Sequence, residues 1–484
     1  MKALSVLGTS SNAGKTWMTA ALGAWLRREG VKVAPFKAQN MSNNAWVTPD
    51  GGEMARAQAV QAEACGLAPC VEMNPILLKP SGGTLAQLIV LGQARTHLEG
   101  RDYFKNHDEL WRIVADTLDG WKSRCDVLLM EGAGSPVELN LMTRDLVNLR
   151  PIHHLDGRWV LVGDIDRGGI YAQLAGTWAL LSPADRARGL GAIVNRFRGD
   201  LSLFPDPQEW LAPHAPGLAV LGTVPFRPDL QPEEEDGLSS DDEDRGAGDT
   251  IAWVRYPRAA NLTDCQPWWD DTGVRTRWTA DPAVLATARV IVLPGTKNTL
   301  GDLRWLRARG LDQVIRAAAQ RGTLVLGVCG GYQMLGERLS DPTGVAGDAG
   351  EEPGLGLLPI TTEFHAQKIV RQVTAECAGQ RWTAYEIHMG RSTGTAPAEA
   401  LQTVWDNGVP RAEGVRRDHV WGTYLHGWFE SPRLRARVTE AAGIVGHQAH
   451  PVTWAEKRQA IYTAMADHVV EHVALDPVRR YLGI

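Results

Sequence analysis

GTSSNAGKT, residues 8–16, is the stretch whose reading decides the fold. The apolar run KALSVL precedes it, and WMTAALGAWLRR, apolar along one helical face, follows. Strand, glycine-bounded loop and helix in that order make a phosphate cradle, because backbone N–H groups and a helix N-terminus converge on one anion. Gly8, Asn12 and Gly14 shape the loop, Lys15 reaches the terminal phosphates, and the Thr16 hydroxyl faces a Mg²⁺ ion. The spacing departs from the usual Gly, four residues, Gly-Lys-Ser/Thr: the first glycine comes one position early, and Thr9 stands in its ordinary place.

Outward from the loop, strand and helix signals alternate. KVAPF (32–36) reads as a second strand. KAQNMSNNAW (37–46) is amide-rich and aperiodic, hence a loop, and loops after strands of an open α/β sheet line the ligand crevice. Lys37, Gln39 and Asn43 are candidates there for phosphate or substrate contacts, with a solvated Asn-rich loop as the alternative. GGEMARAQAVQAEACG (51–66) reads as a helix, with Glu53 at its start as either a metal ligand or a first-turn acid favoured by the helix dipole. CDVLLM (125–130) is a buried strand that delivers Glu131 to its carboxyl end, placed to hold Mg²⁺ directly or through water. WVLVGDIDRGG (159–169) repeats the theme with Asp164 and Asp166, a further strand ends at Asn195, and LAVLGTVPF (218–226) adds one more. Five or more strands joined by helices predict a doubly wound parallel sheet over residues 1–230.

Residues 231–249, QPEEEDGLSSDDEDRGAGD, carry acids with almost nothing apolar and read as a solvated interdomain connector. A second α/β pattern spans 250–440. TIAWVRYP and RVIVLPG read as strands, and TLVLGVCGGYQMLGERL (323–339) as strand, sharp turn and helix. Gly327-Val328-Cys329-Gly330-Gly331 has the form of a nucleophile elbow with Cys in the Ser position. The helix N-terminus after it favours the thiolate, and backbone N–H groups at Gly330 and Gly295 suit an oxyanion hole. His426, after the strand VWGTYL and before Gly427, is the expected base for Cys329. In YEIHMGRS (385–392) alternation places Glu386 and His388 on one face, as substrate or interdomain contacts or as an ordinary half-buried strand. Residues 441–484 form a helical extension with Ile461, Met465, Val469 and Val473 in one stripe, expected to close on the second domain.

Bulk properties fit two or three globular domains in 484 residues. A net charge of −6 gives no electrostatic reason to expect nucleic acid. Six cysteines without a CxxC favour a reducing compartment. No 18-residue apolar run predicts a membrane span, and a strand beginning at residue 2 or 3 leaves no room for a signal peptide, so a cytoplasmic location is expected.

The loop GTSSNAGKT, the strand end EGAG, the late Asn195 and the GTVPF strand resemble the dethiobiotin-synthetase-like branch of P-loop proteins. That branch uses ATP to activate a carboxylate, and the early first glycine reads as its mark. The resemblance implies Thr16, Glu53 and Glu131 as Mg²⁺ ligands and Asn195 as an adenine contact. PGTKNT, GVCGGYQMLG and YLHGW are similar to class I glutamine amidotransferase domains, which release ammonia from glutamine through a Cys thioester. The Glu usual two residues after the histidine is Trp428, so the group orienting His426 stays open, with Glu430 nearby in sequence. That departure resembles the cobyrinate-amidating subgroup, which carries a YEIHMG-like segment. KAQNMSNN, EGAGSPVELN, GDIDRGG, LPGTKNT, GVCGGYQMLG and YEIHMG together resemble the cobyric acid synthase family. The resemblance implies an ATP- and glutamine-dependent amide ligase acting on a corrinoid, with no nucleic acid or membrane partner. Two alternatives stand beside it: the sister enzymes that amidate the a and c carboxylates, and a P-loop ATPase switch carrying an inactive amidotransferase domain.

Overall fold

Six parallel strands form the first sheet, in the order Val220–Pro225, Gly189–Phe197, Arg158–Asp164, Lys2–Gly8, Val127–Glu131, Val33–Phe36. The computed structural model describes residues 1–82, 85–99, 107–232, 244–406 and 408–484. The central strands are buried along nearly their whole length, as parallel strands covered on both faces must be. Lys2–Gly8 lies between Val127–Glu131 and Arg158–Asp164, so the phosphate loop leaves the sheet with Glu131 and Asp164 ending the two adjacent strands. Gly14 opens the helix Lys15–Arg28 at φ +93°, and a Cβ there would sit 2.1 Å from Asn195 Nδ2, so only glycine fits.

The second sheet has seven strands, in the order Asp244–Gly246, Val274–Thr279, Asp249–Val254, Val290–Leu293, Leu324–Val328, Val420–Thr423, Val415–Arg417. Its five inner strands are parallel and its two edges antiparallel. The pairing starts at Asp244, inside the stretch read as connector; residues 233–243 of that stretch lie outside the described residues. Beside this sheet stands a long antiparallel hairpin, Ile360–Cys377 with Gln380–Gly394, whose register breaks between Phe364 and Ile369.

Three features depart from the sequence reading. First, 39–99 is strand-rich: Gln39–Met41 joins Ile76–Gly82, Leu85–Val90 and Gln93–Glu99 in a four-stranded sheet, and Ala45–Val47 pairs with Glu53–Ala55. Glu53 is therefore on a strand, and the helix starts only at Arg56. Second, these strands reach the second domain. Asn261 N–H donates to Asn44 Oδ1 (3.1 Å), Gln372 Nε2 to the Val47 carbonyl (2.6 Å) and Lys297 Nζ to Gln87 Oε1 (3.1 Å). Third, the C-terminal helix Trp454–His472 packs on the first domain. Its Tyr462, Met465, Ala466 and Val469 share one buried cluster with Met18, Leu22 and Trp25. Arg458 pairs with Glu63, Arg479 with Glu29, and Tyr481 OH donates to the Ala3 carbonyl. The apolar stripe was legible; its partner was not, because a stripe carries no address. Among the described residues no helix is long and apolar enough to cross a membrane.

Candidate active sites

At the phosphate loop, Lys15 is buried and folds back to donate to the carbonyls of Ser10 (2.8 Å) and Gly134 (3.0 Å). The Thr16 hydroxyl donates to Glu131 Oε1 at 2.9 Å, and Lys37 Nζ reaches the same oxygen at 2.9 Å. Gln61 donates to Glu131 Oε2 at 2.5 Å. Glu131 is thus a fully buried carboxylate gathering partners from three other segments of chain. Thr16 and Glu131 supply neighbouring hard oxygens beside a phosphate cradle, the donor type a Mg²⁺ ion takes. Asn195 donates to the Ala13 carbonyl at 3.0 Å, under the loop.

In the second domain, Cys329 follows the strand Leu324–Val328 with φ +52° and ψ −109°, a conformation that costs a non-glycine residue about 1–3 kcal/mol. Glycines relieve the crowding around it: a Cβ on Gly331 would lie 1.9 Å from the Leu293 carbonyl, and one on Gly327 2.6 Å from Tyr332 backbone. The flanking strands, Val290–Leu293 and Val420–Thr423, end level with Cys329 and lead to Gly295 on one side and His426 on the other. His426 lines the same cavity as the Cys329 thiol, which donates to the Ile387 carbonyl at 3.6 Å, and His426 Nδ1 lies 2.8 Å from Asp264 Oδ2. Asp264 Oδ1 also accepts from the Gly427 N–H at 3.0 Å, so both carboxylate oxygens are fixed. Burial disfavours the imidazolium, but the charge and hydrogen bond of Asp264, with the Cys329 contact, push His426 up to about 10. Tyr385 stacks on the imidazole, centroids 5.1 Å apart, and Trp46 of the first domain packs on Tyr385 at 4.8 Å.

Cys329 and His426 open onto a cavity lined by both domains. Asn43, Lys79 and Gln87 come from the first domain; Gly295, Lys297, Gln333, Lys368 and His388 come from the second.

Comparison with known proteins bears on both sites. Residues 4–239 match the CobQ/CobB/MinD/ParA nucleotide binding domain, and residues 250–434 match the CobB/CobQ-like glutamine amidotransferase domain. A cobyric acid synthase of Roseiflexus castenholzii is 44% identical over 97% of this chain and 96% of its own. One of Variovorax paradoxus is 47% identical over 89% of this chain and 91% of its own. The chain belongs to the cobyric acid synthase family. The family accounts for the pairing of a nucleotide-binding domain with an amidotransferase domain, and makes the chain an amidating ligase of cobalamin biosynthesis.

Within that family frame, the structure gathers Lys15, Thr16, Lys37 and Glu131 at the phosphate loop. Gln39 lies on a strand paired to Ile76, and Asp166, half-exposed, pairs with Arg198. Glu53 is placed elsewhere than expected. Its Oε1 takes Lys79 at 2.6 Å and its Oε2 takes Lys368 at 2.5 Å, so both oxygens are committed to ammonium groups facing the amidotransferase cavity. Asn43 and His388, read as substrate contacts, line that same cavity. Glu386, by contrast, is tied to Arg371 and Arg411. Glu430 does not orient His426; it pairs with Arg458 at 3.2 Å, and Asp264 holds the imidazole. Asp264 went unread, although a signal existed: it follows the strand TIAWVRYP, where crevice residues belong, on the 3-10 helix Leu262–Asp270. Lys79, Gln87 and Lys368 also went unread, although for Gln87 the apolar run LAQLIV (85–90) gave a strand signal.

Proposed function

We propose that the chain makes amides by coupling two half-reactions, ATP-dependent activation of a carboxylate at the phosphate loop and release of ammonia from glutamine at Cys329. As in the family it belongs to, the acceptor is (adenosyl)cobyrinic acid a,c-diamide and the carboxylates are b, d, e and g, each consuming one glutamine and one ATP. The observation that carries this reading is the cavity in front of Cys329, walled by both domains, which ties ammonia release to the ATP-using half.

A carboxylate oxygen is a poor leaving group and a phosphate a good one. Transfer of the terminal phosphoryl group of ATP to the acceptor gives an acyl phosphate, and ammonia then displaces phosphate to form the amide. Lys15 leaves its two carbonyl partners to meet the terminal phosphates, where its charge offsets theirs in the transition state. Thr16 and Glu131 would hold Mg²⁺, which when bound neutralises phosphate charge. Lys37 holds Glu131 in place through its ion pair. Asn195 supports the loop from below and serves as an adenine contact.

At Cys329 the thiolate attacks the glutamine amide carbon. The developing oxyanion meets backbone N–H groups of the elbow at Gly330 and of the Gly295 segment. His426 gives its proton to the leaving ammonia, and then takes one from the water that opens the thioester. Asp264 fixes the proton-bearing Nδ1, leaving Nε2 for the sulfur.

The test offers cobyrinic acid and its a,c-diamide separately, with glutamine or ammonium chloride as nitrogen source. Turnover of the diamide from either source is expected. Turnover of the undiamidated acid alone would assign the chain to the sister reaction, and ATP hydrolysis without glutamine use would assign it to the switch class.

A further inference from the structure

Four charged side chains outside the Cys–His–Asp constellation meet beside its cavity. Glu53 and Lys79 come from the first domain, Lys297 and Lys368 from the second. Lys368 sits at the register break of the long hairpin, where a bulge turns its side chain into the cavity. Glu53 ion-pairs with Lys79 and Lys368, whereas Lys297 donates only to the neutral Gln87 and has no carboxylate at ion-pair distance among the described residues. Three ammonium groups therefore stand around one described carboxylate, in a setting where an unmatched buried charge is expensive. Burial, with Lys79 and Lys368 next, depresses Lys297 well below the ordinary lysine range, and burial brings Lys368 to about 8. An arriving anion relieves that tension. Beside the lysines, Asn43 Oδ1 is buried, lines the cavity and accepts no hydrogen bond. A basic cluster next to an unused acceptor is complementary to a carboxylate next to an ammonium, the head of an α-amino acid.

We infer that the two domains together bind the α-amino-acid head of glutamine: Lys297, Lys368 and Lys79 take its carboxylate, Asn43 Oδ1 takes its ammonium, and Glu53 is the positioning residue that holds Lys79 and Lys368 in place. The glutaminase site is then incomplete without the first domain. This deepens the proposed function, because the amide end of the same molecule lies at Cys329. It also gives Glu53 a role distinct from the Mg²⁺ ligand that resemblance implies.

The test uses the full-length Cys329→Ala chain, which binds glutamine without consuming it, and reads affinity by calorimetry. Three ligands are compared: L-glutamine, its α-carboxamide, and glutaramate, which lacks the ammonium group. Each truncated ligand is expected to bind at least about tenfold more weakly than glutamine, the loss typical of one charge-assisted hydrogen bond. Adding Lys297→Met or Lys368→Met should shrink the penalty on the α-carboxamide alone, and adding Asn43→Ala should abolish the penalty on glutaramate alone. With Cys329 intact, Glu53→Gln should raise the KM for glutamine about tenfold with kcat changed less than twofold, and Glu53→Asp should recover part of the loss. Penalties that persist in full in the lysine and Asn43 variants overturn the inference. So does a Glu53→Gln enzyme that loses glutamine- and ammonia-dependent amidation equally, since that places Glu53 at the nucleotide. Failure of the glutaminase reading has a separate mark: glutamine bound with the full penalties, but no ammonia released by the intact chain.

Discussion

At the residue scale, the decisive contact is the 2.8 Å bond between His426 Nδ1 and Asp264. Asp264→Asn should lower glutamine-dependent amidation by about 10²–10⁴-fold, as loss of the orienting acid does in other triads, and spare ammonia-dependent amidation. In that variant the burial penalty on the imidazolium remains while the attraction of Asp264 is gone, so the alkaline limb of the glutaminase pH profile should move to lower pH. Stability carries a matching signature. The pKa of His426 is raised on folding, from 6.5 to about 10, so its imidazolium stabilises the fold fully below about pH 6.5 and that stabilisation is lost as pH rises through about 10. Denaturant titrations should show the decline in the parent chain and its absence in Asp264→Asn. Glu131→Gln is the counterpart at the other site. It should lower amidation from both nitrogen sources on the order of 10²–10³-fold, because Thr16, Lys37 and Gln61 all converge on that carboxylate.

At the element scale, legibility followed locality. The phosphate loop and the elbow were readable because each is one strand, one turn and one helix contiguous in sequence. Glu131 was readable because a strand end delivers it. Asp264 and Lys368 were not, since one lies 162 residues from His426 and the other enters through a hairpin bulge that no periodicity announces. Glu53 was misplaced because MARAQAVQAEA favours helix from the outset, yet pairing of Val47 with Glu53 keeps that residue extended. The elbow makes a direct prediction. Gly331→Ala places a methyl against the Leu293 carbonyl and should cost on the order of 1–3 kcal/mol, read as a lower melting temperature together with lost glutaminase activity. The C-terminal helix makes another. Met465 is fully buried against the first domain, so Met465→Ala should cost about 2–5 kcal/mol. Heat inactivation should then remove ammonia-dependent amidation at a lower temperature than in the parent chain, although the residue follows the amidotransferase domain in sequence.

For the whole molecule, two α/β sheets present the carboxyl ends of their strands to the functional sites, and the strand-rich insertion at 39–99 spans between them. The same insertion segment touches both sites: Lys37 just before it engages Glu131, while Asn43, Lys79 and Gln87 line the Cys329 cavity. From Glu53 the chain runs directly into the helix Arg56–Ala64, whose Gln61 bonds Glu131, so one short stretch is anchored at the lysine cluster and at the phosphate loop.

The helix Trp454–His472 has a consequence for how the polypeptide is wired. The chain leaves the first domain near residue 230, builds the second, and comes back to cover the helix Lys15–Arg28. The halves are thus clasped by the returning tail as well as joined by the peptide. Split into two polypeptides between residues 232 and 244, the protein should still copurify as one body, the C-terminal partner carrying part of the N-terminal one's hydrophobic core. A gene divided at that point would encode subunits that recognise each other by a surface which, in the single chain, is simply the interior.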